Sequence, residues 1–321
     1  MPLLARDRYL QALRGAAIAA VVLIHCLPVC AASVVARPFL NWSVAVFLFL
    51  SGYLTDELEI KRGGVLSRRL RKTLPPYVVW SAVYSLAFQR DGLLGFLGSL
   101  LTGGAAAHMY FLFLYAQLTI LTPLIYRALE SSRILVYSVT PVALIAYELA
   151  TAAGFVFPVL GRLFPFWMLF YVVGLDWKRW RRVVEDKRGI WTWVLAGCVC
   201  LQIVAGYCWN SFGDYNMATT QIKLSSMATS LAVIAVMMSV SLRARSAVSS
   251  SPLVPLGDAS FGIYLSHMLV LAVVHKVLAL IAIPGMLSVV LAWQLTLGLS
   301  YAFCIVANKA LPAKASRILG L

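Results

Sequence analysis

Long uncharged runs alternate along the chain with short stretches that gather nearly all the charge. Residues 15–36, 38–55, 73–89, 92–126, 189–213, 224–242, 259–275 and 277–308 carry no formal charge. Residues 134–147, 149–161 and 163–175 are likewise uncharged, interrupted only by Glu148 and Arg162. A transmembrane helix needs about 20 mostly apolar residues, within a range of about 17–25. The pattern therefore predicts ten helices, near 12–34, 39–58, 74–90, 108–127, 134–154, 163–177, 190–208, 221–241, 260–281 and 287–308. The expected fold is an all-α polytopic transmembrane helix bundle, one integral membrane domain over residues 1–321. Residues 91–107, rich in glycine and apolar side chains, are expected either at the outer interface or dipping back into the protein. Ser246–Pro255 reads as a short Ser/Pro loop before the ninth helix.

Composition agrees. Of 321 residues, 61% are apolar and only 12% charged, against about 25% charged in an ordinary soluble domain. That charge cannot cover the surface of a water-soluble protein of this size, and disorder and collagen are excluded by the same figures. The net charge of +15 comes from 27 Lys or Arg against 12 Asp or Glu, and its placement decides what it means. With the N-terminus in the cytoplasm, only Arg37, Arg90, Arg162, Lys223 and Lys276 lie outside the cytoplasmic ends and loops, leaving 22 of the 27 inside. That asymmetry is the positive-inside rule. It predicts both termini in the cytoplasm and a lipid bilayer, not nucleic acid, as the partner of the charge. The first apolar run, at 22 residues, exceeds the roughly 7–15 of a cleavable signal peptide, so an uncleaved first helix is expected. The six cysteines lie in apolar spans with no zinc-like spacing, so no metal is expected and they read as small packing residues.

Ionisable side chains inside the membrane are costly and mark functional sites, and here they are few. His25 follows Arg14 by a rise of roughly 16 Å and returns to within roughly 20° of the same helix face. Arg14 then sits at the cytoplasmic edge and His25 deep in the membrane. A neutral imidazole there can accept a proton; a histidine bonded to a neighbouring helix for packing is the structural alternative. His267 is either a second functional group or a bonded structural histidine. Asp258, after Gly257 and before an apolar run, reads as a helix N-cap. His108 and His275 fall near the outer interface, where polar groups are cheap, and read as ordinary. Glu148 either holds a hydroxyl-rich acceptor or pairs with Arg162. The densest basic run is Lys61, Arg62, Arg68, Arg69, Arg71 and Lys72, ahead of Pro75 and Pro76. It reads as a positive-inside loop whose guanidinium groups could also grip the phosphates of a cytoplasmic anion. No soluble nucleotide-binding signature is present.

Five segments, in order, resemble the acyltransferase-3 family of membrane-bound acyltransferases, which O-acylate bacterial surface glycans. RYLQALRGAAIAAVVLIH carries the family's Arg-x10-His as Arg14 and His25. VFLFLSGYL carries Ser51, Gly52 and Tyr53 of its Ser-Gly-Tyr segment. RRLRKTLPPYVVW matches the basic run before paired prolines, with Arg69 at the first Arg of the family's Arg-x-x-Arg and Lys72 at the second, beside Arg68 and Arg71. HMYFLFLYAQL matches His-x-Trp-Phe-Leu with Tyr110 in place of Trp. LGDASFGIYLSH carries Ser260, Phe261, Tyr264 and His267 of the late Ser-Phe-x-Ile-Tyr-Leu-x-His segment.

The resemblance implies ten core helices in a bacterial inner membrane. It also implies acetyl-CoA or another acyl-CoA as a cytoplasmic donor substrate, with no permanently bound cofactor. His25 and Arg14 are then the catalytic residues, and Arg68, Arg69, Arg71, Lys72, Ser51 and Tyr53 hold the donor. Tyr110, Glu148, Tyr264 and His267 are expected on the side of the acceptor, a polysaccharide or lipid-linked glycan. Many relatives carry an extracytoplasmic SGNH hydrolase-like domain. This chain ends soon after its last predicted helix, so it is expected to act alone or to hand the acyl group to a separate extracytoplasmic transferase. Two other classes share the general pattern: a transporter or flippase for a lipid-linked sugar or anion, and a non-catalytic partner of polysaccharide export. No inverted repeat of the transporter kind is visible.

Overall fold

A computed structural model describes residues 7–321 except 62, 63, 90, 91, 156, 158, 241 and 282. The charge assignments made for Arg6, Arg62 and Arg90 lie outside the described residues, as do the side chains of Lys61 and Arg243. The described residues form helices and connecting turns, with no strand among them. The principal helices are α1 (Arg8–Cys26), α2 (Ala31–Ala36), α3 (Trp42–Tyr53), α4 (Gly64–Tyr84), α5 (Gly92–Thr102), α6 (Tyr110–Ser131), α7 (Arg133–Ala152) and α8 (Met168–Leu175). They continue with α9 (Trp177–Asp186), α10 (Arg188–Ser211), α11 (Tyr215–Thr219), α12 (Leu224–Met238), α13 (Leu253–Asp258), α14 (Ser260–Leu280), α15 (Gly285–Ala310) and α16 (Ala313–Leu319).

Among the described residues, eight helical stretches are long and apolar enough to cross a membrane: α1, α2 to α3, α6, α7, α10, α11 to α12, α14 and α15. The protein is a multi-pass membrane helix bundle. Two of the ten predicted spans take another form. The third is the apolar end of α4, continued by a π-helical turn, Ser85–Gln89. The sixth shortens to α8, eight residues preceded by the 3-10 turns Leu160–Arg162 and Phe164–Phe166. Pro165 lies in the second of these, and α8 itself is buried on nearly every face, so protein rather than lipid surrounds it. Helical structure also begins earlier than predicted at the basic run. Arg68 to Lys72 sit on α4 itself, and the helix continues through Pro75 and Pro76.

α1 is the central helix. Asp7 caps it, accepting from the backbone N of Tyr9 at 2.9 Å and of Leu10 at 3.3 Å. It ends at Cys26, ahead of Pro28, which cannot continue a helical hydrogen-bond ladder. Glycines set its closest neighbour. A Cβ placed on Gly15 would fall 2.0 Å from the carbonyl oxygen of Leu253, and one on Gly257 would fall 1.8 Å from that of Gln11. The two backbones of α1 and α13 therefore touch through reciprocal glycines. α3 and α8 repeat the device: a Cβ on Gly52 would meet Tyr171 O at 2.1 Å, and one on Gly174 would meet Phe49 O at 2.2 Å. Small residues at such crossings let helices approach where lipid gives no hydrophobic drive to association.

Two expectations change at helix ends. Asp258 is the last residue of α13, not the cap of α14; Ala259 occupies the cap position and no side chain caps that helix. A single residue, Ala259, joins the two helices. Of the two alternatives for 91–107, the inward dip is seen at its end. α5 has no buried residue, while the turn after it reaches inward to Ala105, His108 and Met109, all buried. Gly103, at φ +66°, makes that turn. The start of α1 and the C-terminus lie at one end of the bundle: Gln11 touches Gly257, and Leu321 lines a cleft with Pro255 and Asp258. All six cysteines are free, and three of them, Cys30, Cys200 and Cys208, are exposed on the protein surface rather than packed inside it.

Candidate active site

Two cavities enter the bundle from opposite ends and share a wall. The inner one, about 490 Å³, lies at the end that holds the start of α1 and the C-terminus, and the basic run of α4 opens onto it. Arg68, Arg69 and Lys72 line it, and Arg71 does not. Helix geometry explains the selection. At about 100° per residue, Arg68, Arg69 and Lys72 share an arc of roughly 100°, while Arg71 points roughly 160° away from Arg69. Arg69 is held by α3: its Nη1 donates to Ser51 Oγ at 3.2 Å and to Tyr171 Oη at 3.4 Å, and its Nη2 donates to Ser51 O at 3.2 Å. Thr122 fixes Tyr171 in turn, hydroxyl to hydroxyl, at 2.8 Å. The close α3–α8 crossing at Gly52 and Gly174 brings Ser51 and Tyr171 together. Arg14 enters from α1, with its Nη1 3.3 Å from Gln11 Oε1. Asp258 also lines this cavity. Tyr53 does not; its ring packs on Phe49 and Trp177, with centroids 5.9 and 6.3 Å away.

The outer cavity, about 390 Å³, is lined by His25, Arg37, His108, Tyr110, Arg162 and Trp167 among others. Behind it stands a cluster of three histidines. The ring of His25 is 5.3 Å from that of His267 and 6.4 Å from that of His108, and the last two are 4.7 Å apart. His267 Nδ1 lies 2.7 Å from Tyr264 O and 3.2 Å from Ile263 O. Carbonyl oxygens only accept, so Nδ1 carries the proton in neutral His267, and Nε2 is left with a buried lone pair that no described residue satisfies. Both ring nitrogens of buried His108 are likewise without a partner among the described residues. The Tyr264 hydroxyl donates to His108 O, tying α14 to the turn before α6. His108 thus belongs to the site rather than to the outer interface. The turn after Gly103 carries it inward, which the spacing of apolar residues around it did not indicate.

Tyr110 reaches across the outer cavity to Gln221, Oη to Oε1 at 3.4 Å. Gln221 sits in the break between α11 and α12, at the start of the predicted eighth span. Fixed polar contacts hold that break. Asn41 Nδ2 donates to Thr220 O at 3.0 Å and to Thr219 O at 3.3 Å. Lys223, fully buried, donates from Nζ to Met217 O at 3.2 Å and to Ala218 O at 2.5 Å. Glu148 lies outside both cavities; its carboxylate accepts from the backbone N of Leu224 at 2.6 Å, capping α12 beside Lys223. Arg162 donates to Thr102 O at 3.1 Å instead of pairing with Glu148. Glu148 therefore shapes the broken helix that borders the cavity, without facing it.

The two cavities meet at Phe111 and Tyr264, which line both and whose ring centroids are 5.6 Å apart. Arg14 and His25, expected together as the catalytic pair, lie on opposite sides of this wall. Arg14 belongs with the basic inner cavity and His25 with the outer one. His275 is exposed near the end of α14, as its position suggested. No group of three or more metal-ligating side chains of the histidine, cysteine or acidic kind suits a metal ion among the described residues.

A membrane helix bundle with a basic cavity on one side and a buried histidine cluster on the other has the parts of a membrane-embedded group-transfer enzyme. The family comparison makes the class specific: the acyltransferase-domain model of the acyltransferase-3 family matches residues 7–309, and the chain belongs to that family. It is a membrane acyltransferase. No curated protein and no solved structure matches the chain.

Proposed function

We propose that the protein moves an acyl group, acetyl in the simplest case, from cytoplasmic acyl-CoA to a sugar hydroxyl of a surface or secreted glycan or its lipid-linked precursor, in the bacterial inner membrane. The observation that carries this reading is the pair of cavities divided by Phe111 and Tyr264, with cationic side chains on one side and His25 on the other. Arg14, Arg68, Arg69 and Lys72 hold the phosphates of CoA, each as a charge-assisted contact. Arg69 is pre-set by Ser51 and Tyr171, so less side-chain entropy is lost when it binds. The pantetheine arm runs inward toward the Phe111–Tyr264 wall, and the thioester reaches His25 as those rings move aside.

The acceptor hydroxyl enters from the outer cavity. The His25 imidazole takes its proton, the hydroxyl oxygen attacks the thioester carbonyl carbon, and the carbon–sulfur bond breaks. CoA leaves as the thiolate, which recovers the proton, and the acceptor leaves as the ester. In the variant with an acyl-histidine intermediate, a His25 nitrogen makes the first attack and the hydroxyl the second. The enclosing bundle keeps bulk water from the thioester in either case. His267 positions the His25 ring from behind.

The test is mass spectrometry of surface glycans from cells lacking the gene, complemented with wild type or with His25→Ala. Loss of the acetyl increment in the deletion and in His25→Ala, with the variant inserted at wild-type levels, is the expected result. Full acylation by His25→Ala would sink the role of His25. An unchanged glycan with altered export would favour a transporter.

A further inference from the structure

The outer cavity carries a charge that the transfer step does not use. Arg37 and Arg162 both line it, and no carboxylate does. The Arg37 side chain has no hydrogen bond or ion pair among the described residues. Arg162 commits Nη1 to Thr102 O at 3.1 Å, and its other guanidinium nitrogens have no hydrogen bond among the described residues. The acids of neighbouring segments are engaged elsewhere: Glu148 caps Leu224, and Asp214 caps α11 through Met217 N at 2.8 Å. A half-buried pair of cations with no counter-ion is a costly arrangement for a membrane protein to hold. It is explained if the counter-ion arrives with the ligand. Guanidinium forks match carboxylate and phosphate oxygens two at a time. The rest of the wall, including Asn216, Thr220 and Gln221 with the rings of Tyr110 and Trp167, suits the hydroxyls and faces of a sugar.

We infer that the acceptor is anionic and presents a carboxylate or phosphate to Arg37 and Arg162 while its nucleophilic hydroxyl faces His25. This inference rests on the reading of the outer cavity as the acceptor site. It narrows the acceptor to acidic sugars or phosphate-bearing glycans and sets neutral glycans aside.

The experiment uses the full-length protein in phosphatidylcholine nanodiscs and three probes that share one ring: methyl β-glucuronide, methyl β-glucoside and methyl β-glucoside 6-phosphate. Binding is measured by saturation-transfer NMR, and CoA release from acetyl-CoA is followed in the same samples. Wild type is expected to bind at least one anionic probe about 10-fold or more tightly than the neutral glucoside, the scale of a single charged hydrogen bond. Preference for the glucuronide marks a carboxylate, and preference for the 6-phosphate marks a phosphate. Arg37→Gln, which has no internal bond to lose, is expected to cut that preference. Arg37→Lys keeps the charge without the fork and retains part of it. Arg162→Gln should act in the same direction but also removes the bond to Thr102, so Arg37→Gln decides.

Equal binding of all three probes, a preference unchanged in Arg37→Gln, or no binding of any probe overturns the inference. The two readings fail separately. Transfer to the glucoside as fast as to the anionic probes leaves the acyltransferase standing without the anion site. Arg37-dependent anion binding with no His25-dependent use of acetyl-CoA keeps the anion site and removes the acyl-transfer reading.

Discussion

The inner and outer cavities are built in opposite ways. The inner cavity takes three of its cations from one helical turn of α4 and pins one of them, Arg69, to Ser51 and Tyr171. The outer cavity is assembled from α1, the 3-10 turn before α8, the turn before α6 and the break between α11 and α12, and most of its chemistry sits where helices end. A donor that always carries the same phosphates can be met by a rigid local cluster. An acceptor read by shape and charge needs groups brought in from several directions. On the proposed reading, recognition of the shared donor and of the particular acceptor are separated in this fold by two aromatic rings, Phe111 and Tyr264.

The sharpest way to break that division is at His25. His25→Ala is expected to lower transfer by about 10²–10⁴-fold, the usual contribution of a general base, while donor binding in the inner cavity persists. Turnover with enclosed glycan, set against acyl-CoA binding to the same sample, checks both halves. A smaller loss is expected behind it. His267→Ala removes the ring 5.3 Å from His25, and misplacement of a reacting group by about 1 Å can cost on the order of 10²-fold. The fall should appear in kcat, with the donor KM little changed; a loss confined to KM would contradict a positioning role.

On the inner side, Arg69→Ala should weaken donor binding by roughly 10- to 100-fold, as expected for lost hydrogen bonds to a charged group, and should act mainly on KM. Arg71→Ala is the paired control. Arg71 is exposed and faces away from the cavity, so its donor KM should stay near that of wild type. An equal effect from Arg71 would mean that the run acts as a diffuse charge rather than as one helix face. Beyond that control, the smallest effect on chemistry is expected from Gly174→Ala. Its Cβ would meet Phe49 O at 2.2 Å, so the α3–α8 crossing must open, at a cost of about 1–3 kcal/mol. A lower thermal midpoint, with donor affinity falling alongside it, would tie the crossing to the placement of Ser51 and Arg69.

How far the sequence exposed this arrangement follows from the same contrast. The bundle and the inner cluster were legible because lipid demands apolar runs and because Arg68, Arg69 and Lys72 lie within five residues of one another. Arg14 and His25 share a stripe of α1, a spacing that the sequence shows directly. It could not place the Phe111–Tyr264 wall between them, since those rings arrive from other helices. His108 was read as ordinary because position in a span speaks for depth only while the chain runs straight, and the turn at Gly103 takes it inward. Glu148 stood out as an acid in an apolar run, but its partner, the backbone of Leu224, has no signature in side-chain spacing. The ten-span count met eight long spans because α8 is wrapped in protein and α4 carries its charge on the helix itself. Arg37 and Arg162 stood out as exceptions to the positive-inside rule, and Arg162 also as a partner offered to Glu148; their meeting in the wall of the outer cavity comes from the fold.

Sided transport of the label tests the central claim most directly. Inverted membrane vesicles containing the protein are loaded with glycan from cells lacking the gene, and radiolabelled acetyl-CoA is supplied only outside, on the face that was cytoplasmic. The account predicts that label reaches the enclosed glycan with wild type and not with His25→Ala, and that Arg69→Ala restores transfer only at raised donor concentration. Label that reaches the glycan only when acetyl-CoA is enclosed with it would contradict a donor cavity and an acceptor cavity on opposite sides of the Phe111–Tyr264 wall.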